Sequence, residues 1–569
     1  PRSFSKWSRK RTFKGNRFTS KKGTEKPARR SASFTKLGGG IGGESFDVDG
    51  ASTTGYRLID FGLLRRFLQD VAVCKKCNKG TIILEEAIDR RSGLASCVNV
   101  SCSECDALNV LETSRRTAGN VFEVNQRFVY ALRTCGKGLT TGRILCAVLN
   151  LPPPPTKFAS YNARLLDATT TAVNNSTAKA AEELKKEAST FDGELETAVT
   201  VDGTWMKWGY SSLHGVVAAI SADTGKVLDF EVESKFCHMC ARNLHTDENL
   251  SECKITYDGP SGGMESAGAV KIFGRSVEKH QPMYTTYIGD GDSKAYISVR
   301  DSQPYEKDIE KHECVGHVQK RMGTRLRNIK KNEKGKKLAD GLPLSGKGRL
   351  TEKDVDSLQV YYGKAIRGNT DSLENMRRAV WAIYFHKLST DTKPSHGLCP
   401  KGPSSWCGYN RSLVEGNLET YTHKNYIPEA VMEVNKPVFK ALSDPGLLTK
   451  CLHGRTQNTN ESLNQLIWCR CPKTTFVSAD TLKTATNDAV AYYNDGNSAR
   501  KAVLGALGIV PGVFCDIALN RMDKERVDRA EFYDSAESKE RRRKKRNTKK
   551  GFGDTSKKAR SEMYSPGSF

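Results

Sequence analysis

The chain has 569 residues, enough for two to four domains, and a formal net charge of +25. No run of 18 or more apolar residues occurs, which excludes a helix that spans a bilayer. The first 45 residues lack the apolar stretch of a secretory signal. Because several of the 17 cysteines stand in Cys-x-x-Cys pairs, metal ligands and free thiols are expected, not a disulfide framework.

Most of the positive charge lies at the two ends of the chain. Residues 1–45 contain 13 Lys and Arg against 2 acidic residues, and residues 539–560 contain 12 against 2. Residues 1–55 and 531–569 are therefore predicted to be disordered basic tails. Flexible basic arms bind nucleic acid through counterion release, and the run KERRRKKRNTKK is typical of a nuclear-localisation segment. The tails predict a DNA-associated protein of the nucleus.

Residues 56–112 are predicted to form a zinc-ribbon module. Two Cys-x-x-Cys pairs flank two strand-like runs, TIILEEAI and GLASCVNV. Two such pairs joined by a hairpin place four thiolates around one tetrahedral zinc ion. The predicted ligands of this structural zinc are Cys74, Cys77, Cys102 and Cys105.

Residues 113–195 have helical patterns, VNQRFVYALRTCG, TGRILCAVLNL and a long segment after the run PPPP. They are expected to form a helical DNA-binding or dimerisation region, and the residues do not choose between these roles. From residue 196 the apolar period shortens to that of β-strands in ETAVTVD, HGVVAAIS and KVLDFEVES. A helix in MESAGAVKIFGRSVEKH and a fourth strand ending in YIGDGDSK follow.

Three antiparallel strands, a helix and a further strand are the element order of a ribonuclease-H-like fold, with an unrelated α+β domain as the alternative. The predicted fold class is thus α/β (α+β), with the first part of the core at 196–320. Residues 321–450 are predicted to be a mainly helical insertion, in which Asp371 and Glu374 suggest a capping box. Residues 451–530 return to short helices and form the last part of the core.

Acidic residues occur at three positions along this order of predicted strands and helices. Phosphodiester chemistry uses two divalent cations about 4 Å apart, and Mg²⁺ and Mn²⁺ prefer carboxylate ligands. Asp202 ends an apolar run in VDGT, Asp290 and Asp292 follow the fourth strand, and Glu461 lies on a helix in NTNESLNQLIW. Two acids at a strand end repel each other unless a cation offsets their charge. The residues alone leave Asp290 and Asp292 as alternatives.

Other cysteines and histidines are candidates for further zinc sites, with buried free thiols as the alternative. The three sets are Cys314, His317, Cys451 and His453; Cys237, Cys240, His245 and Cys253; and His396, Cys399 and Cys407. The segment VQKRMGTRLRNIKK is basic and suits contact with phosphates. Its candidate DNA-binding residues are Lys320, Arg321, Arg325 and Arg327.

Five segments together resemble the Mutator-like DNA transposases of animal genomes. The segments are VDGTWMKWGYSSLHGVVAAISADTGKVLDFEVESK, YIGDGDSKAY, ECVGHVQKRMGTRLR, LCPKGPSSWC and CLHGRTQNTNESLNQLIW, and the resemblance extends over residues 56–530. It implies a DDE/D-class enzyme whose ribonuclease-H-like core is interrupted by the insertion. On this resemblance the catalytic acids are Asp202, Asp290 and Glu461, holding two Mg²⁺ or Mn²⁺ ions, with Asp292 as the alternative second acid.

The resemblance also implies cut-and-paste transposition. The enzyme is expected to bind terminal inverted repeats, cleave the transposon ends and join their 3′-hydroxyl groups to target DNA. Pairing of two ends implies a homodimer or a higher oligomer. The alternatives are a domesticated DNA-binding protein that has lost the chemistry, and a metal-dependent nuclease of the same fold that performs no strand transfer.

Overall fold

The computed structural model describes residues 54–188, 195–207, 211–244, 253–291 and 294–542, together with Lys36 and Lys545. Nearly all of the predicted amino-terminal tail, the end of the carboxyl-terminal tail, His245 and Asp292 lie outside these residues. The strands are β1 (Ile82–Glu86), β2 (Cys97–Cys102), β3 (Leu108–Glu112), β4 (Arg116–Thr117), β5 (Val121–Phe122), β6 (Glu196–Trp205), β7 (His214–Ser221), β8 (Val227–Ser234), β9 (Met283–Gly289) and β10 (Glu310–Glu313).

Helices make up most of the remaining structure. In chain order they are α1 (Phe61–Val71), α2 (Glu123–Thr134), α3 (Leu139–Val148), α4 (Phe158–Ala188), α5 (Met264–Gly274), α6 (Ser276–His280), α7 (Lys294–Asp301), α8 (Val315–Asn332), α9 (Glu352–Arg367), α10 (Leu373–Leu388), α11 (Gly408–Glu415), α12 (Glu429–Leu442), α13 (Pro445–Thr449), α14 (Asn458–Arg470), α15 (Ala479–Asp495), α16 (Ser498–Ala506) and α17 (Val513–Asp534). No helix in the described ranges has the length and apolar character needed to cross a membrane.

The amino-terminal sheet contains β1, β2 and β3, all antiparallel. Leu84 of β1 lies opposite Val100, and the buried side chains of Leu84 and Val98 give the sheet its inner face. The first two strands are those predicted from the sequence. The third was not predicted, because every residue of β3 is exposed and the strand shows no buried face.

The largest sheet has five strands in the order β10-β9-β6-β7-β8. Strands β6, β7 and β8 are antiparallel neighbours, whereas β9 runs parallel to β6, and β10 runs parallel to β9. Helices α5 and α6 connect β8 to β9. The predicted order of three strands, a helix and a fourth strand is confirmed, but β10 was missed because its sequence, EKHE, is short and polar.

Both faces of this sheet are covered by helices. Val216 and Ile220 of β7 pack in one core with residues of α14 and α15, and Val217 and Ala219 pack in another with residues of α5. This division follows from the alternation of side chains along a strand. All eight residues of β7 are buried, which explains its nearly unbroken apolar sequence.

The helices between β10 and α14 have a hydrophobic core of their own, as expected for a helical insertion. Its fully buried members include Met322 of α8, Leu358 of α9, Val380 of α10, Phe439 of α12 and Leu448 of α13.

The capping box predicted for α10 is wrong. Helix α10 begins at Leu373, and the hydroxyl group of Ser372 caps it by accepting a hydrogen bond from the N–H of Asn375. Ser372 stands directly before the first helical residue, which is the position that a capping side chain requires. Asp371 lies one residue too early.

Candidate active site

Asp202 lies on β6, the middle strand of the five-stranded sheet, opposite Ala218 of β7. Its carboxylate accepts a hydrogen bond from Nδ2 of Asn464 at 2.9 Å. Burial raises the pKa of Asp202 to about 6, and the charge of Glu461 adds to this shift, while His317 and Asn464 oppose it. Asp202 is therefore a partly buried carboxylate whose ionised form is costly in the metal-free protein.

Helix α14 is distant in sequence but is fixed directly against β6. The side-chain amide of Asn460 donates to the carbonyl oxygens of Thr200 at 3.2 Å and Ala218 at 3.1 Å, so it bridges β6 and β7. Glu461 is the next residue and lies in the first turn of α14. The position of this helix brings Glu461 close enough to raise the pKa of Asp202.

Asp290 directly follows β9, the parallel neighbour of β6. Thr200 of β6 pairs with Ile288 of β9, and Asp202 and Asp290 each lie two residues further along. Adjacent strands are about 4.8 Å apart, so the two acids occupy neighbouring positions on one edge of the site. The alternative second acid, Asp292, lies outside the described residues.

A fourth carboxylate, Glu265, was missed by the sequence reasoning. It lies in the first turn of α5, and a Cβ atom built on Gly203 would be only 2.9 Å from its Cγ. The glycine after Asp202 thus allows Glu265 to lie against β6. Burial raises the pKa of Glu265 to about 7, and the charges of Asp202 and Asp290 contribute to this rise.

Cationic side chains offset part of this negative charge. Arg321 lies 2.8 Å from the carboxylate of Glu313 and 3.3 Å from that of Asp290, and Nζ of Lys320 lies 3.6 Å from Oε1 of Glu461. Burial raises the pKa of Asp290, but the N–H of its neighbour and the charges around it outweigh this effect and leave the pKa below its ordinary value. Within the described ranges, no three of the four acids have oxygens within 4.8 Å of one another.

Cys314 and His317 lie beside these acids. Sγ of Cys314 accepts from the backbone N–H of Gln457 at 3.3 Å, and Nδ1 of His317 donates to Oε1 of Gln457 at 3.0 Å. The amide of Gln457 in turn donates to the carbonyl oxygen of Val201 at 2.5 Å. Hydrogen bonding to Cys314 raises the pKa of His317. The Cys-x-x-His segment therefore ties the start of α8 to the start of α14 and to β6.

The zinc set predicted from this pair with Cys451 and His453 is not formed. Nε2 of His453 donates to the carbonyl oxygen of Glu313, and Nδ1 accepts from the N–H of Arg455, each at 3.0 Å. Both ring nitrogens are thus used by the backbone. Burial raises the pKa of the Cys451 thiol to about 12, which favours a neutral thiol.

The four basic residues predicted to contact DNA have different environments. Lys320 and Arg321 pair with the acids of the site, and Arg327 pairs with Glu352 at 3.1 Å. Arg325 is exposed and makes no ion pair within the described part of the chain. Among the four residues predicted to contact DNA, Arg325 is the one whose charge is not balanced by a neighbouring acid.

The four cysteines of the predicted ribbon come together as expected. Sγ of Cys74 lies 3.7 Å from that of Cys105, and Sγ of Cys77 lies 3.6 Å from that of Cys102. A tetrahedral zinc–thiolate site has sulfur–sulfur separations of about 3.8 Å, given Zn–S bonds of about 2.3 Å. Gly80 is required here, because a Cβ at that position would lie 2.3 Å from Sγ of Cys102. The set has the geometry to hold a zinc ion.

Residues 55–407 match the family model described as Mutator-like transposase, which is more than half of the chain. The chain belongs to the Mutator-like transposase family. The resemblance expected from the sequence is confirmed, and the family implies that the protein acts on DNA. The matched range includes Asp202, Glu265 and Asp290, whereas Glu461 lies beyond it. A search of curated proteins finds no match.

The structure also brings together the cysteines of two further predicted sets of this Mutator-like transposase. Cys237, Cys240 and Cys253 have sulfur atoms within 4.8 Å of one another, but the predicted fourth ligand, His245, lies outside the described residues. The second set, His396, Cys399 and Cys407, is joined by His386 of α10. The sequence reasoning missed this histidine, because it lies within the helical pattern of WAIYFHKL.

Proposed function

We propose that this chain is a cut-and-paste DNA transposase with a ribonuclease-H-like catalytic core. It would bind terminal inverted repeats, cleave the transposon ends and join their 3′-hydroxyl groups to target DNA. The observation that carries the proposal is the placement of Asp202 and Asp290 at neighbouring positions of parallel strands, with Glu461 on a helix bonded to the same sheet. The strand order, with three antiparallel strands followed by two parallel ones, supports the fold.

The donor set fits divalent cations that prefer hard oxygen ligands. Asp202, Asp290 and Glu461 would hold two Mg²⁺ or Mn²⁺ ions, and Glu265 adds a fourth carboxylate beside them. When bound, such ions activate an attacking oxygen and stabilise a leaving oxygen at phosphorus. The raised pKa values of Asp202 and Glu265 support this assignment, because a cation would offset the repulsion that contributes to them.

The chain's own side chains would position these acids. Asn464 holds the carboxylate of Asp202 by a 2.9 Å hydrogen bond, and Arg321 holds that of Asp290. Lys320 lies beside Glu461 with 60% of its side chain exposed, so it can reach a phosphate group from the edge of the site. Arg325, on the same helix, supplies a further exposed positive charge.

Three broader features belong to the same proposal. The basic ends of the chain would attract DNA and direct the protein to the nucleus. The ribbon would be a structural zinc module next to the helical region that contributes to end binding or dimerisation. Two transposon ends must be held together during transposition, so the working enzyme would be at least a homodimer.

The test is incubation of the full chain with pre-cut transposon-end DNA and a target plasmid in Mg²⁺. Joined products support the transposase. Nicking of the plasmid without joining would instead support a nuclease, and binding of the ends without either reaction would support a domesticated DNA-binding protein.

Single alanine variants test the three acids. Asp202→Ala, Asp290→Ala and Glu461→Ala are each expected to abolish cleavage while end binding persists. Asp301→Ala is the matched control, because Asp301 is an exposed acid that pairs with its neighbour Arg300. Activity that survives Asp290→Ala and is lost in Asp292→Ala would move the second ligand to Asp292.

A further inference from the structure

Two histidines and two cysteines converge at the carboxyl-terminal end of α10, away from the acids described above. Nδ1 of His396 lies 3.2 Å from Nδ1 of His386 and 3.5 Å from Sγ of Cys407. Sγ of Cys399 lies 3.7 Å from Nδ1 of His386 and 3.9 Å from Nδ1 of His396. All four ligand atoms lie within 4.8 Å of one another, and three of the four residues are buried.

The distances between these four ligand atoms match the edges of a tetrahedron with a zinc ion at its centre. Zn–N bonds of about 2.0–2.1 Å and Zn–S bonds of about 2.3 Å give edges of about 3.3 Å between two nitrogens and about 3.6 Å between nitrogen and sulfur. The measured edges of 3.2 Å and 3.5–3.9 Å agree with these values. Four protein ligands leave no open coordination position, which is characteristic of a structural zinc site.

The groups around the cluster fix its orientation. Nε2 of His396 lies 2.8 Å from the hydroxyl oxygen of Ser389, so a proton on Nε2 leaves Nδ1 free to bind a metal. Histidines that bind metals usually donate their second ring N–H to such a partner. The side-chain amide of Asn410 donates to the carbonyl oxygens of Cys399 at 3.2 Å and Pro400 at 2.9 Å, which holds the loop between the two cysteines.

The segment that supplies three of these ligands has little apolar packing of its own. Within the described chain, residues 389–426 contribute no side chain to any of the hydrophobic cores. Its buried residues are mostly polar, among them Ser389, His396 and Ser405. Another source of stability is needed to hold this loop on α10, and a metal ion can provide it.

We infer that His386, His396, Cys399 and Cys407 bind a structural Zn²⁺ ion, which joins the 389–407 loop to α10 and orders this part of the insertion. The site is separate from the four-cysteine ribbon and does not depend on the proposed catalysis. His386 is the decisive ligand, because it is the one that comes from the helix and not from the loop.

A neighbouring histidine provides a matched control. The His423 ring centroid is 4.9 Å from that of His386 and 5.2 Å from that of His396, and it is buried to a similar degree as His396. It does not belong to the group of ligand atoms within 4.8 Å. Loss of this ring removes a packed histidine without removing a ligand.

The experiment is elemental analysis of the full-length protein and its variants. His386→Ala is expected to lose one zinc ion per chain relative to the wild type, whereas His423→Ala keeps the wild-type zinc content. Wild-type zinc content in both His386→Ala and Cys407→Ser would overturn the inference. Zinc loss in His423→Ala with retention in His386→Ala would also overturn it, because the ligand would be the other histidine.

Thiol labelling of the wild-type protein tests the same site without relying on a variant that folds. In the zinc-loaded protein, Cys399 and Cys407 are expected to resist alkylation, and a chelator is expected to make both reactive. The buried thiol of Cys146, which belongs to none of the cysteine sets, should stay protected, and this would show that the fold has not been lost as a whole. Equal protection of Cys399 and Cys407 with and without the chelator would contradict a zinc site.

Discussion

Replacing Glu265 by glutamine is expected to stabilise the metal-free protein above pH 7 and to impair DNA cleavage. The carboxylate of Glu265 lies against Gly203 and close to Asp202 and Asp290, whose charges raise its pKa in addition to burial. Glutamine has nearly the same shape and carries no charge. The substitution therefore removes a buried negative charge from a site that already contains two others, without leaving a cavity.

The expected change in the free energy of unfolding follows from the pKa of Glu265, which rises from 4.5 to about 7. Because the folded-state pKa is raised, the stability that protonated Glu265 contributes is fully present below pH 4.5 and is lost as the pH rises through 7. A difference of one pH unit between the folded-state and unfolded-state pKa corresponds to about 1.4 kcal/mol, and the partial exposure of this side chain reduces the full effect to about 2 kcal/mol. The glutamine variant should escape this loss.

Urea denaturation of the two proteins at pH 5 and pH 8 measures the effect. Without divalent metal, the Glu265→Gln variant is expected to gain about 1 kcal/mol over the wild type on going from pH 5 to pH 8, because at pH 5 part of the wild-type loss has already occurred. In saturating Mg²⁺ this gain should shrink, since bound cations offset the repulsion among the carboxylates. Glu278→Gln, on the exposed face of α6, is the control and should show no such pH dependence.

An equal effect of Glu265→Gln at both pH values, unchanged by Mg²⁺, would contradict a raised pKa of Glu265. It would mean that Glu265 does not interact with the charges of Asp202 and Asp290 and that the site is not a joint carboxylate cluster.

Three further predictions concern the zinc ribbon, a half-buried histidine and the Asp202 hydrogen bond. Cys77→Ser should lose one zinc ion per chain and unfold residues 56–112, measured by elemental analysis and limited proteolysis; unchanged zinc would exclude the ribbon. Burial lowers the pKa of His453 to about 4, so stability should fall as the pH drops from 6.5 towards 4, by about 2 kcal/mol after allowance for solvent screening of this partly exposed ring. His453→Gln should reduce this loss of stability at acid pH, measured by urea denaturation. An undiminished loss would mean that other groups cause it. Asn464→Ala removes a hydrogen-bond donor that lowers the pKa of Asp202. The acid limb of the pH profile of the cleavage rate should therefore move to higher pH by about one unit. An acid limb that does not move would contradict the role of this hydrogen bond.

The sequence predicted the parts of the site that have local patterns. Alternating or unbroken apolar runs identify β6 to β9, and the acids at Asp202 and Asp290 stand directly on or after those strands. The ribbon cysteines are recognisable because zinc ligands have fixed spacing within each pair.

Residues whose role depends on long-range packing could not be found in this way. Glu265 looks like an ordinary acid in the first turn of a helix, and only the crossover of α5 over the sheet places it beside Gly203. His386 is likewise one residue in an apolar helix until the following loop folds back on it. The opposite error occurred at His453, where proximity in sequence to a cysteine suggested a ligand but the backbone uses both ring nitrogens.

The catalytic site proposed at Asp202, Asp290 and Glu461 can be mapped by replacing Mg²⁺ with Fe²⁺ and generating hydroxyl radicals, which cut the backbone next to the bound iron. Cuts are expected near Asp202, Asp290 and Glu461; excess Mg²⁺ should suppress them, and Asp202→Ala should abolish them. Cuts elsewhere in the chain, or cuts at these positions that persist in Asp202→Ala, would contradict the proposed catalytic site.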